Sequence, residues 1–160
     1  SVTGTLVFAA VIGAVPGALP PVIGWAAVAG SAPFEAWSLF GILFFWQIPH
    51  FHSLAWTYRE DYARAGYKML SVVDATGRTT ARQIVVYALG LVPASLLPVY
   101  AGIAGPVYFI GALAVSAAFA LFAISSCRPI TGATARRLFL GSLAYLPLLI
   151  IMMGLDELLK

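Results

Sequence analysis

The chain lacks most of what a water-soluble protein of its length needs. Charged residues fill only 9% of its 160 positions, against 61% hydrophobic, too few polar side chains to cover the surface of a soluble domain. Its one cysteine, Cys127, excludes an internal disulfide and a cysteine metal cluster; a lone cysteine of this kind reads as a small packing residue. No basic run with interleaved stacking aromatics accompanies the net charge of +3, so the charge is not a nucleic-acid footprint and no nucleic-acid partner is expected. Strand-period alternation is missing, which argues against a transmembrane barrel. There is no internal repeat, no low-complexity segment and no recognisable signal peptide. Apolar sequence begins almost directly after Ser1, and the expectation is a piece of a longer membrane protein.

What is present is apolar sequence in runs of about 20 residues, the length that crosses a bilayer, with a mean hydropathy of +0.94. Five spans are predicted within a single transmembrane domain, at 6–29, 34–57, 84–103, 107–125 and 138–155. In lipid every backbone polar group must be satisfied inside its own segment, so the spans are helices and the fold is all-α transmembrane. The loop after the second span holds Arg59, Arg64, Lys68, Arg78 and Arg82; the loop after the fourth holds Arg128, Arg136 and Arg137. The positive-inside rule makes loops 58–83 and 127–137 cytoplasmic. Prolines interrupt several spans, most densely at Pro16, Pro20 and Pro21, where a kink with small residues for helix packing and a cavity lining are both open.

Chemistry concentrates where the second span meets the first charged loop. Trp46-Gln47-Ile48-Pro49-His50-Phe51 runs into Tyr58-Arg59-Glu60-Asp61-Tyr62, and Arg64 and Lys68 follow. If one helix continues through Asp61, His50 and Asp61 lie within roughly 20° of each other and about 16 Å apart along the axis, with Gln47 and Tyr58 flanking the stripe. Polar groups inside a membrane are costly toward lipid and are expected to face the bundle interior. His52 points roughly 200° away from His50 and reads as a polar residue near the interface. Glu60 and Asp61 could hold Mg²⁺, which also wants substrate phosphates. Arg59, Arg64 and Lys68 suit phosphate oxygens, with Arg64 and Lys68 sharing a face if the segment is helical. A solvated cap is the plainer alternative for this loop.

The stretch Trp46-Gln47-x-Pro49-His50-Phe51-x-x-Leu54-Ala55-x-x-Tyr58-x-x-Asp61-Tyr62-x-x-Ala65-Gly66-x-x-Met69-Leu70 resembles the signature of the protohaem IX farnesyltransferases (haem O synthases), within the UbiA-type intramembrane prenyltransferases. Gly17-x-x-Pro20-Pro21-x-x-Gly24-Trp25 and Ala135-Arg136-x-Leu138-Phe139-x-x-Ser142-x-x-Tyr145-Leu146 agree with it, in collinear order. The resemblance implies the C-terminal part of a nine-helix bundle in the plasma (inner) membrane. It also implies transfer of farnesyl from farnesyl diphosphate to a vinyl group of protohaem (haem B), with haem A synthase a possible partner. The Asn/Asp-rich Mg²⁺-diphosphate motif that the superfamily carries upstream is absent, so the fragment alone is expected to be inactive. Ser71 stands where the family usually has Pro, and His52 where it often has Trp or Leu.

On this reading Tyr58, Asp61 and His50 are the catalytic candidates, and Arg59, Arg64 and Lys68 hold diphosphate. Trp46, Gln47 and His50 line the haem cavity, and Glu60 and Asp61 contribute to metal binding. Three roles are open for His50: orienting haem, ligating its iron, or relaying a proton. A quinone-precursor acceptor and a non-catalytic haem-binding or transport bundle are the alternatives.

Overall fold

The computed structural model describes residues 2–159. It contains α1 (Val2–Ala18), α2 (Pro20–Ala29), α3 (Phe34–Thr57), α4 (Arg59–Arg64), α5 (Leu70–Val73), α6 (Arg78–Tyr100), α7 (Pro106–Ser126) and α8 (Gly132–Leu158), with no strand among the described residues. The predicted second span coincides with α3, and the third to fifth spans lie within or along α6, α7 and α8. The predicted first span is one apolar stretch bent at Leu19. Pro20 has no N–H to return to the Pro16 carbonyl, and Leu19 N–H takes that oxygen instead at 3.3 Å, closing a tighter turn.

Four segments are long and apolar enough to cross a membrane: 2–29, 78–100, 106–126 and 132–158. The fifth, α3, has the length, but Gln47, His50 and His52 dilute its hydropathy. It can carry them because it is the central helix, packed against α1, α2, α6 and α8. Outer faces elsewhere remain apolar, with Phe8, Ile23, Ile110, Leu121 and Ile150 all exposed, as a surface in hydrocarbon requires. The protein is therefore an all-helical, multi-pass membrane bundle.

The core joins α3, α6, α7 and α8 through Ile42, Ile84, Leu91, Tyr108, Ala112, Leu138 and Tyr145. Alanine and serine at the crossings let the backbones approach closely. Ala135, Leu138, Ser142, Tyr145 and Leu149 form the buried stripe of α8, at the three- and four-residue spacing of one helix face. On that stripe the Tyr145 hydroxyl and Ser95 Oγ lie 2.5 Å apart, a buried pair that fixes α8 against α6.

The helix ends separate by charge. Asp156, near the end of α8, accepts from the backbone N–H groups of Gly105 (2.5 Å), Val107 (3.0 Å) and Tyr108 (3.2 Å), so a carboxylate caps the positive end of α7. At the opposite end, Asp74 accepts from the Thr80 N–H (2.8 Å) and hydroxyl (3.0 Å) and secures the first turn of α6. Both carboxylates are structural. This second end also gathers eight of the nine cationic residues of the sequence; Lys160 lies outside the described residues. Cys127 sits here too, and burial pushes its thiol up to about 11, consistent with an inert packing residue.

Candidate functional site

The cationic end is built on a helix break. α3 stops at Thr57, and Tyr58 leaves helical geometry (φ −104°, ψ 22°) before α4 begins. This corrects the continuous helix that would have put Asp61 on the His50 stripe. A second break follows at Gly66, whose φ of +78° is open to glycine and strained for most other residues. Beyond it the chain turns back toward α1 and α3. Arg64 and Lys68 consequently do not share a helix face.

The breaks divide the predicted residues among three places. The first is an open, polar hollow of about 500 Å³ at the bundle end, lined by Arg59, Glu60, Asp61 and Arg64 together with Trp56 and the α7–α8 turn at Ile130, Thr131 and Gly132. The Arg59 guanidinium stacks 4.5 Å above the Trp56 ring, a cation–π contact that fixes its direction. Arg64 pairs with Asp61. Thr131 caps α8 in a reciprocal box with Thr134, placing the positive end of a long helix at the hollow's edge. Gly77, at φ +71°, closes the wall behind: a Cβ there would come within 2.6 Å of Ile130 and 2.7 Å of Trp56. Arg59, Arg64 and the helix N-terminus offer donors to an anion there, beside the carboxylates of Glu60 and Asp61.

The second place lies deeper, between α3 and α8. His50 Nδ1 is 2.8 Å from Ser142 Oγ, and the Ser142 hydroxyl itself donates to the Phe139 carbonyl at 2.6 Å. With its only proton spent there, Ser142 must accept from His50. This assigns the Nδ1–H tautomer and leaves Nε2 with its lone pair. The ring stacks on Trp46 (centroids 4.6 Å apart) and meets Phe139 at 5.0 Å. Trp46 Nε1 donates to the Ser142 carbonyl at 2.7 Å. His50 and Trp46 are thus brought together, and Ser142 is a partner the sequence reading missed. Its signal was the i+3/i+4 stripe of α8, which contains it.

The third place is a half-open, mainly apolar cavity of about 320 Å³ under α5, between α1 and α3. Gln47, His52, Lys68, Ser71 and Thr80 are its polar lining. Gln47 Nε2 donates to the Ala14 carbonyl at 2.5 Å, two residues before Pro16, which ties α3 to the bend of α1–α2. The two histidines meet different elements: His50 faces Ser142 of α8, and His52 lines the cavity beside α1. His52 is buried there, not at an interface with solvent. Tyr58, at the helix break, is half-exposed.

Among the described residues no group of three His, Cys, Asp or Glu side chains is placed to hold a metal. Asp61 pairs with Arg64 at the exposed surface. Glu60 and Asp61 fit magnesium as a companion of bound phosphates, where one or two protein carboxylates suffice.

The described residues form an all-helical membrane bundle with a polar hollow at its cationic end and a mainly apolar cavity between α1 and α3. The chain belongs to the UbiA prenyltransferase family, whose model matches residues 4–149. It is 50% identical over 146 residues to a protein of Solibacter usitatus named protoheme IX farnesyltransferase, covering 91% of this chain and 50% of the relative. A protein of the same name from Koribacter versatilis is 50% identical over 153 residues, covering 91% of this chain and 49% of the relative. One from Salinibacter ruber is 43% identical over 145 residues, covering 91% and 51%. The chain spans about half the length of these curated relatives. No solved structure matches it.

Proposed function

We propose that the protein takes part in farnesyl transfer from farnesyl diphosphate to a vinyl group of protohaem. The observation that carries this reading is the 50% identity, over 91% of the chain, to proteins that bear that name. In the reaction the C1–O bond of farnesyl diphosphate breaks and diphosphate leaves with the electron pair. The farnesyl carbon joins the outer vinyl carbon, water adds to the inner one, and a proton is released. The product is haem O.

Within this reading Arg59 and Arg64 hold the diphosphate in the polar hollow and stabilise the charge that develops on it. Glu60 and Asp61 would be the protein carboxylates for a magnesium ion bound together with the diphosphate, which would supply further charge neutralisation. Tyr58, at the break between α3 and α4, would be positioned by the same substrate. The His50 ring, with Trp46, faces haem at the α3–α8 contact, and its Nε2 lone pair is the atom available to iron or to a proton. Helix packing excludes water from the prenyl cation. The charged end faces the cytoplasm of a plasma (inner) membrane. The enzyme that consumes haem O, haem A synthase, is a fitting partner.

The test is to purify the full-length protein, supply farnesyl diphosphate, Mg²⁺ and haem B, and resolve the haem products by chromatography. Haem O formation is expected. Prenylation of 4-hydroxybenzoate in preference to haem would shift the acceptor to a quinone precursor. Haem binding without any turnover would leave a carrier.

A further inference from the structure

A single residue of α8 holds two rings of α3. Ser142 is fully buried. Its hydroxyl accepts from His50 Nδ1 over 2.8 Å, and its carbonyl accepts from Trp46 Nε1 at 2.7 Å. His50 and Trp46 stand one turn apart on α3, and their rings stack with an interplanar angle of 20°. Phe51, its ring centre 5.2 Å away, and Phe139 close on other sides of the imidazole. None of these neighbours is ionisable at neutral pH, so Nε2 is the basic atom of the contact.

The arrangement does more than tie helices together. One turn further along the same stripe, Tyr145 and Ser95 join α8 to α6 through two hydroxyls, either of which can donate. At Ser142 that freedom is gone. Its proton goes to the Phe139 carbonyl, so only a lone pair is left for the ring. An unrestrained imidazole exchanges its proton between two nitrogens and turns about its bond to Cβ. Here the proton is held on Nδ1, the ring plane is held against Trp46, and Trp46 is held by the same serine. Among the described residues nothing bonds Nε2. A basic lone pair that is fixed in direction and left unused is prepared for an atom of a ligand.

We propose that Ser142 is a positioning residue of the transfer reaction: through its hydroxyl and its carbonyl it fixes the tautomer and plane of His50, and so presents the Nε2 lone pair to the acceptor. The inference rests on the reading that protohaem is that acceptor and meets His50 at the α3–α8 contact. Ser142 itself touches no substrate and acts only through the two rings.

The experiment measures haem O formation by the full-length protein and two variants, at a temperature where all three are folded. Ser142→Ala should lower kcat by about 10- to 100-fold, the usual cost of removing the partner that orients a functional histidine, while KM for farnesyl diphosphate stays within about twofold of wild type. Ser142→Cys refills the volume with a sulfur that accepts hydrogen bonds weakly. It should regain the melting temperature lost in Ser142→Ala but not the turnover. The tautomer is read directly by ¹⁵N NMR of histidine-labelled protein, with His50→Gln used to assign the His50 signals. The wild type should show a protonated Nδ1 and a bare Nε2, and Ser142→Ala an exchanging mixture. A wild type that turns over farnesyl diphosphate without making haem O overturns the acceptor reading, and this inference with it. With a wild type that does make haem O, the inference alone is overturned by an unchanged kcat in Ser142→Ala, by full turnover in Ser142→Cys, or by a wild-type proton on Nε2.

Discussion

Arg64 separates a binding role from a structural one better than any other residue of the hollow. Its visible partner is Asp61, three residues earlier on α4, and the two side chains are 77% and 59% exposed. An exposed pair of this kind contributes about 0–1 kcal/mol to folding, and salt screens it further. Arg64→Ala should therefore leave the unfolding transition of the full-length protein nearly unchanged. If Arg64 donates to the diphosphate, the same substitution removes a charge-assisted hydrogen bond worth about 1.5–3 kcal/mol. That corresponds to roughly 10- to 150-fold in the affinity for farnesyl diphosphate. The measurement is haem O formation against farnesyl diphosphate concentration at saturating haem, with thermal unfolding followed in parallel. KM for farnesyl diphosphate should rise by at least tenfold, while KM for haem and the melting temperature stay close to wild type. Arg64→Lys should recover only part of the loss, because an ammonium keeps the charge but not the paired donors of a guanidinium. An unchanged KM for farnesyl diphosphate would show that Arg64 merely caps α4, and would return the hollow to a solvated surface.

Three further outcomes test neighbouring parts of the argument. Asp61→Asn should reduce turnover and make it depend more steeply on Mg²⁺, because it weakens one of the two carboxylates available to the ion; a magnesium profile identical to wild type would remove Asp61 from that role. Ser142→Ala should destabilise the bundle by about 1–3 kcal/mol, the cost of leaving the buried His50 N–H without its acceptor, which thermal unfolding in detergent measures; a shift within error would mean that the His50–Ser142 bond carries no weight. Cysteines placed at Arg78 and Arg136 in a background lacking Cys127 should both be shielded from an impermeant thiol reagent outside intact cells; labelling of either from outside would invert the topology.

Helix content, span positions and the separation of charge to one end were legible in the chain because each follows from local rules. A run of about 20 apolar residues can be satisfied only as a helix in lipid, and arginine placement is written in the order of the loops. The family was legible too, since its motif from Trp46 to Leu70 is contiguous. The angular relation between His50 and His52 is likewise a property of α3 alone, and in the structure the two meet different elements.

What each face of α3 meets was settled only by the tertiary packing. The apolar run of the second span ends at Thr57, but local sequence does not say that the helix itself breaks there, because Tyr58, Arg59 and Glu60 carry no strong breaker. That break is what removes Asp61 from the His50 stripe and places it with Arg59 and Arg64 against the α7–α8 turn. Nor does spacing along the chain show that Ser142, 92 residues away, lies 2.8 Å from His50, or that Ser71 and His52 share a cavity. Those pairings depend on how α1, α6 and α8 surround α3. In a bundle, residues distant in sequence become neighbours through the packing of whole helices, and a periodicity gives a face without naming its partner.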